Sequence, residues 1–480
     1  MSAPLLWIIF PGLAGIGLFF VRFRTRLVVL IGAGITLFLA WTAWQIPIEE
    51  AISLGPLSLK ISETLSVFGR EFSFTNLERP LLAFLFLSSF LWILGSYFAQ
   101  PGDLFVPFTL AMVSLLIAAI AVEPFLFAAL LIEISVLLSI PLIAPPHKPA
   151  GRGVFRFLAF QTFGMPFILF TGWMLAGVGA SPTDLDLVIR ASALLGLGFA
   201  FLLAVFPFHT WIPMLAREIH PYIAAFLFFI IPTAISLFAL GFLDRFVWLR
   251  EDSSVFLLLR NVGIIMIIVG GIWAAFQTHL GKMFGFAVVM ESGISLAAIG
   301  LGNSQGISIF IALILPRLLS FLVWASALSL LYRISRENLS FDALQGLGIQ
   351  YPFIAFSLLA AQLSLTGIPL FAGFPVRIAF WTELSQISPT LTLGALIGNV
   401  ALLAGSLRAL LVLMKPVENT DSFEDTSAQE GSPIPLEQIA NTSILLFVIS
   451  ISLLLIIGLF PQWFYPALND LPLMFEHLGS

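Results

Sequence analysis

The sequence predicts an all-α polytopic membrane protein of about 14 transmembrane helices, with two inverted five-helix repeats whose helices 7 and 12 are broken. Composition is the first reason. Hydrophobic residues make up 59% of the 480 and charged residues 10%, and the mean hydropathy is +1.06, which excludes a string of soluble domains. Length is the second: apolar runs of about 20 residues, enough to cross a bilayer, recur along the whole chain. The third is that two of these runs, five crossings apart, end on proline and glycine at residues 206–213 and 365–377.

The runs lie near residues 4–21, 27–46, 80–99, 104–121, 123–144, 154–179, 185–208, 221–243, 254–276, 283–302, 305–333, 351–371, 388–414 and 440–464. The first, in MSAPLLWIIFPGLAGIGLFF, lacks the positive lead and small-residue cleavage pattern of a secretory signal and is read as a crossing. Between the second and third, ISLGPLSLKISETLSVFGREFSFTNLERP alternates polar and apolar residues loosely enough for a short hairpin. KPVENTDSFEDTSAQEGSPIP, after the thirteenth, is acidic and contains serine and proline, as a solvated linker does. The implied division is 1–103, three helices with an outside hairpin loop; 104–243, the first repeat (helices 4–8); 244–414, the second repeat (helices 9–13). An acidic loop at 415–437 and a last helix with its tail at 438–480 complete it.

Lysine and arginine concentrate after odd-numbered crossings: Arg22, Arg24, Arg26, Lys148, Arg152, Arg156, Arg217, Lys282, Arg333, Arg336 and Lys415. Loops after even-numbered crossings hold mainly Lys60, Arg70, Arg79, Arg245 and Arg250. The positive-inside rule then puts both termini on the non-cytoplasmic side of the membrane, a bacterial plasma membrane in this reading. The net charge of -5 offers no basic face for nucleic acid. Without cysteine the chain holds no disulfide, thiolate metal site or iron-sulfur cluster, and no cofactor or metal site is expected.

The breaks are FPFHTWIP, with Pro207 and Pro213, and LTGIPLFAGFPVR, with Gly367, Pro369 and Gly373. Five crossings between corresponding helices reverse their direction, which is the signature of an inverted repeat. Paired broken helices free carbonyls and helix ends that ions or water can satisfy, so they mark an ion route. Two proline kinks that serve packing alone are the competing reading.

FPFHTWIP resembles the FPFHxWLP signature of the antiporter-like subunits of respiratory complex I (NADH-quinone oxidoreductase M-, N- and L-type), which is shared with Mrp sodium/proton antiporters and membrane-bound hydrogenases. GIPLFAGF resembles that family's GIPxxxGF in the twelfth helix, and THLGKMFGFAVVMESGIS resembles its D-x-K-R-x-x-AYSSISHxG segment. No long lateral helix follows the fourteenth crossing, as in the shorter family members.

Ionisable residues inside a span are costly and mark function by default. Glu133, in FAALLIEISVLL, is the clearest, and the resemblance implies that it modulates or passes protons. The lysine the family places seven residues before the histidine of the first break is replaced by Leu202, and the next expected titratable position falls at Pro232 to Ala234, where only Thr233 is polar. Arg377 stands where relatives carry a lysine and Arg317 where they carry a histidine; arginine keeps the charge but does not release its proton. Glu291 lies in the same half and is expected to pair with Arg317 or Arg377, as a relay or as a structural charge cluster. His209 either shuttles protons or caps freed carbonyls. Lys282, with His279, opens the tenth crossing at the predicted cytoplasmic edge, where snorkelling is the simpler reading. Glu383, six residues past Arg377, is expected near the same seam.

The resemblance implies a subunit that translocates protons or sodium, beside similar antiporter-like subunits, while quinone reduction proceeds elsewhere in the assembly. Two alternatives stand beside it: a degenerate, non-conducting scaffold in such a complex, and a subunit of an Mrp-type exchanger or an inorganic-carbon uptake system. The chain itself carries no redox site in any of these readings.

Overall fold

The structure is a computed structural model describing residues 2–54, 57–67, 69–145, 149–180, 185–416, 436–468, 470–475 and 477–478; Lys148 and nearly all of the expected acidic loop lie outside the described residues. A π-helical turn, Leu5–Ile9, runs into α1 (Phe10–Phe20), followed by α2 (Thr25–Gln45) and α3 (Arg79–Ala99). The segment between α2 and α3, read from its alternation as one short hairpin, holds two. It is too polar for lipid and pairs its backbone as two antiparallel hairpins, β1 (Ala51–Leu54) with β2 (Leu57–Lys60) and β3 (Thr64–Val67) with β4 (Arg70–Ser73). Gly69, at φ 72, supplies the left-handed residue of the second turn. After α4 (Phe105–Ala121), the two residues of β5 (Val122–Glu123) add a third strand beside β4.

The fifth expected crossing is jointed: α5 (Ala128–Leu138) and the short α6 (Ile140–Ile143) meet at Ser139. Then come α7 (Arg152–Ala180), α8 (Leu185–Leu202), α9 (Trp211–Glu218), α10 (Pro221–Arg245), the single turn α11 (Val247–Arg250), α12 (Ser253–Phe276), α13 (Leu280–Ile299) and α14 (Ser304–Ile334). Two short turns, α15 (Phe341–Leu344) and α16 (Leu347–Gln350), lead to α17 (Pro352–Thr366), α18 (Phe374–Ile387), α19 (Pro389–Met414) and α20 (Leu436–Leu459).

Helices that are apolar all round belong inside, and α10, α13 and α14 are buried along most of their length. Peripheral helices keep large side chains outward, such as Leu30 on α2, Leu258 on α12 and Leu411 on α19, as lipid-facing rods do. Close crossings rest on glycine: a methyl added at Gly271 of α12 would sit 2.0 Å from the Gly398 carbonyl oxygen of α19.

Among the described residues nine helices are long and apolar enough to cross a membrane, or ten if the pair 341–350 and Pro352–Thr366, bent by 113°, counts as one more. The apolar helices Leu5–Phe20, Phe105–Ala121 and Phe447–Leu459 are shorter. The fourteen expected crossings are therefore not all full-length rods, and both broken crossings end before their expected limits. α8 stops at Leu202 rather than 208, and the chain resumes through a 3-10 turn, Phe208–Thr210, into α9. α17 stops at Thr366 rather than 371, with Gly367 at φ 74 as its left-handed terminator, and resumes as α18.

Candidate functional site

The first break is built around two consecutive polar residues of α7. Gln161 is wholly buried and its Nε2 donates to the Leu202 carbonyl at 2.9 Å, satisfying an acceptor that the end of α8 leaves free. Thr162 donates its hydroxyl to Glu133 Oε1 at 2.8 Å. Glu133, buried on α5, keeps its Oε2 without a partner among the described residues. His209, in the 3-10 turn, is also buried; its ring stacks on Phe206 at 5.5 Å and its Nδ1 has no partner among the described residues. The histidine therefore does not cap freed carbonyls through Nδ1, and the amide of Gln161 performs that task instead. Leu202 fills the expected lysine position with carbon, its side chain closing on Gly164 so tightly that a Cβ there would meet Leu202 Cγ at 2.6 Å. Pro207 precedes the 3-10 turn and Pro213 lies in α9, whose close approach to α13 leaves 2.5 Å between the Pro213 Cα and a Cβ built at Gly285.

The second break is organised by charge. Arg317 of α14 donates Nε to Glu291 Oε2 at 3.2 Å, and its Nη2 reaches both the Glu291 carbonyl at 2.9 Å and Ser295 Oγ at 2.6 Å. Arg377, in the first turns of α18, donates Nη2 to Glu291 Oε1 and to the Leu365 carbonyl near the end of α17. One carboxylate thus holds two guanidiniums, and all three residues are at least nine-tenths buried, with 2% exposure for Glu291, 7% for Arg317 and 2% for Arg377. Ser320 donates to Ser364 at 2.8 Å, and Ser364 accepts the Gly373 amide at 3.2 Å, so the start of α18 is pinned to the end of α17. A Cβ at Gly373 would fall 1.9 Å from the Ser364 carbonyl oxygen, and one at Gly367 would strike the Arg377 side chain at 2.8 Å. Pro369 lies in the irregular loop between the two half-helices.

Two expected members stay apart. Glu383 is half-buried on α18 and makes no ion pair among the described residues. Six residues at 100° each turn it away from the face that carries Arg377. Lys282 lies in the first turn of α13, because that helix begins at Leu280 and not at 283, and it too is without an ion pair there. His279 caps this helix, accepting the Gly281 amide on Nδ1 at 3.1 Å. Burial, reinforced by Arg217 and Lys282, pulls its pKa down to about 4. In α10, Thr233 returns its hydroxyl to the Phe229 carbonyl at 2.6 Å beside Pro232, and no titratable group takes the expected place. Sequence reasoning missed Gln161, Thr162, Ser295, Ser320 and Ser364; adjacent polar residues in the middle of FLAFQTFGM were the readable signal for the first two.

The two ends of the first half differ. At one end a cavity of about 930 Å³ opens between Gln100, Asp103, Arg217, His220, Ile223 and Tyr332. At the other end of α10, Arg245 pairs with Glu123 of β5 at 2.5 Å and lies 4.4 Å over the Phe125 ring, while Asp244 Oδ1 accepts the amides of His477 at 2.8 Å and Leu478 at 3.0 Å. The small sheet, an ion pair and residues 477–478 therefore meet at the end opposite the cavity.

Residues 186–403 match the family model described as NADH:quinone oxidoreductase/Mrp antiporter, transmembrane. NADH-quinone oxidoreductase subunit N 2 of Syntrophobacter fumaroxidans is 29% identical over 262 residues, 52% of this chain and 52% of the relative. The chain spans about half the length of the first such relatives it matches. NADH-quinone oxidoreductase subunit 14 of Thermus thermophilus aligns further, over 88% of this chain and 93% of its own length, at 23% identity. In three dimensions the chain resembles one in the Mrp complex from Dietzia sp. DQ12-45-1b, with a TM-score of 0.80 over 100% of this chain and 97% of that one, at 16% identity.

Proposed function

We propose, from the premise that this chain belongs to the NADH:quinone oxidoreductase/Mrp antiporter family, that it is an antiporter-like subunit moving protons across the membrane beside similar subunits, with the driving redox chemistry carried by other members of the assembly. One observation carries the reading: each break holds a buried ionisable side chain with a polar atom unpaired among the described residues, His209 Nδ1 at the first and Arg377 Nη1 at the second, and Glu133 of α5 likewise leaves its Oε2 unpaired. Unpaired polar atoms at membrane depth are costly unless water or an ion serves them. The fourteen crossings, the inverted repeats and the outside termini belong to the same proposal, supported by the matched breaks and the basic loops.

The two halves take different parts in it. Glu133 and His209 carry side chains of types that exchange protons, and Thr162 and Gln161 run from the glutamate to the open end of α8. Arg317 and Arg377 keep their protons, so the second half supplies fixed charge. That closed triad, with Leu202 in place of a lysine, favours a second reading in which this copy is a non-conducting scaffold. Glu133→Gln decides between them in the assembled complex reconstituted into vesicles. Conduction predicts a loss of proton uptake at unchanged assembly, and uptake equal to that of the parent protein means a scaffold.

A further inference from the structure

We infer that the second break binds one halide-sized monovalent anion between Arg317 and Arg377. The charges are Arg317, Arg377 and Glu291, and no other ionisable residue lines the cavity they share with Ser320, Ser364 and Gly373. Two cations against one carboxylate leave a net charge of +1 among side chains at least nine-tenths buried. Arginine cannot shed that charge by deprotonation. Helix dipoles do not remove it either: the negative end of α17 and the positive end of α18 both terminate here and offset one another. An uncompensated charge in such a place is strongly unfavourable, so a counter-anion gains what the protein's own groups do not supply.

Geometry restricts the anion. The cavity is about 10 Å³, near the size that holds one water and too small for a phosphate or a carboxylate-bearing molecule. A monatomic halide, larger than the water such a space just holds, enters only with an outward shift of the lining. Donors are at hand: Arg377 lines the cavity and its buried Nη1 has no partner among the described residues. Ser364 Oγ accepts from Ser320 and from the Gly373 amide, which leaves its own proton free to donate. The site is independent of whether the chain conducts protons, since it rests on the triad's net charge.

Hydrogen exchange of the full chain within its native membrane assembly tests this, comparing potassium chloride and bromide with potassium gluconate at equal ionic strength. Peptides spanning residues 364–378 are expected to exchange about tenfold more slowly when halide stands tenfold above half-saturation, as single-site linkage requires. Arg377→Met, which neutralises the cluster, should abolish the halide effect, whereas Glu291→Gln, which raises the net charge to +2, should lower the half-saturating concentration. Equal exchange in halide and gluconate, or a halide effect retained by Arg377→Met, overturns the proposal. Should neither variant assemble, bromide decides on the unaltered protein. An anomalous scattering peak within hydrogen-bond reach of Arg377 Nη1 supports the site, and ordinary water density there refutes it.

Discussion

Replacing Glu291 by glutamine is the sharpest perturbation of the fold at its second break. The change keeps volume and one carbonyl acceptor but removes the carboxylate that pairs with both Arg317 and Arg377, so two buried guanidiniums lose their shared protein counter-charge. Removing one partner of a buried ion pair costs about 3–5 kcal/mol. Arg377→Met is the matched control. It abolishes the surplus charge, leaves Glu291 paired with Arg317, and frees the Leu365 carbonyl, a loss of about 1–3 kcal/mol. The glutamine variant should therefore be less stable than the methionine variant by roughly 2 kcal/mol, which is about a thirtyfold difference in the folded-to-unfolded ratio. Reversible unfolding in mixed micelles, read by the loss of helical circular dichroism, measures it. If Glu291→Gln proves no more costly than Arg377→Met, the carboxylate is not what holds the two cations in place.

Three further outcomes follow from other parts of the molecule. His279 has a pKa of about 4 in the fold against an ordinary value near 6.5, so its contribution is complete above that ordinary value and is lost as pH falls through the window down to about 4. The local opening energy of the first turn of α13, from hydrogen exchange, should drop across that window, and His279→Asn, which keeps a cap that does not titrate, should flatten the dependence. Gly271→Ala should destabilise by about 1–3 kcal/mol or more through the collision with Gly398, while Gly34→Ala, whose added methyl meets nothing within 4 Å, should be neutral or slightly stabilising; thermal unfolding of the pair gives the difference. Asp244→Ala removes the acceptor of the His477 and Leu478 amides, and limited proteolysis should then cut residues 460–478 faster.

Hydropathy made the crossings legible because lipid forces about 20 apolar residues into each rod, and proline with glycine marked both breaks because neither continues a helix. Neither signal fixes where a helix yields, and α8 and α17 each end about five residues early, at Leu202 and Thr366, before the first proline of the motif. The Glu291 triad could be anticipated because charges in an apolar helix need partners. Of the groups that complete both sites, Gln161 and Thr162 showed only as adjacent polar residues in an apolar run, and Ser295, Ser320 and Ser364 not at all, since serine is tolerated in spanning helices and carries no charge imbalance to flag it. Glu383 misled for a geometric reason. Nearness in sequence to Arg377 suggested nearness in space, but neighbours on a helix face lie three or four residues apart, not six. The strands of the α2–α3 connection showed as alternation, yet nothing in it distinguished one hairpin from two, or predicted that Val122–Glu123 would extend the second.

The separate halves share one reference element. Gly281 and Gly285, one turn apart on α13, admit the half-helix α9 so closely that added methyls would meet the Ala216 carbonyl oxygen and the Pro213 Cα at 2.5 Å each. Six residues further along the same helix, about 9 Å at 1.5 Å per residue, Glu291 holds α14 and the start of α18. The half-helix after the first break and the half-helix after the second are thus positioned against one rigid, buried rod. Glycine contacts of this kind have no slack, and the triad's bonds are directional, so a shift of α9 that moved α13 along its axis would change the geometry at Glu291. The two breaks are thus fastened to α13 by different means, one by close backbone contact and the other by buried charge.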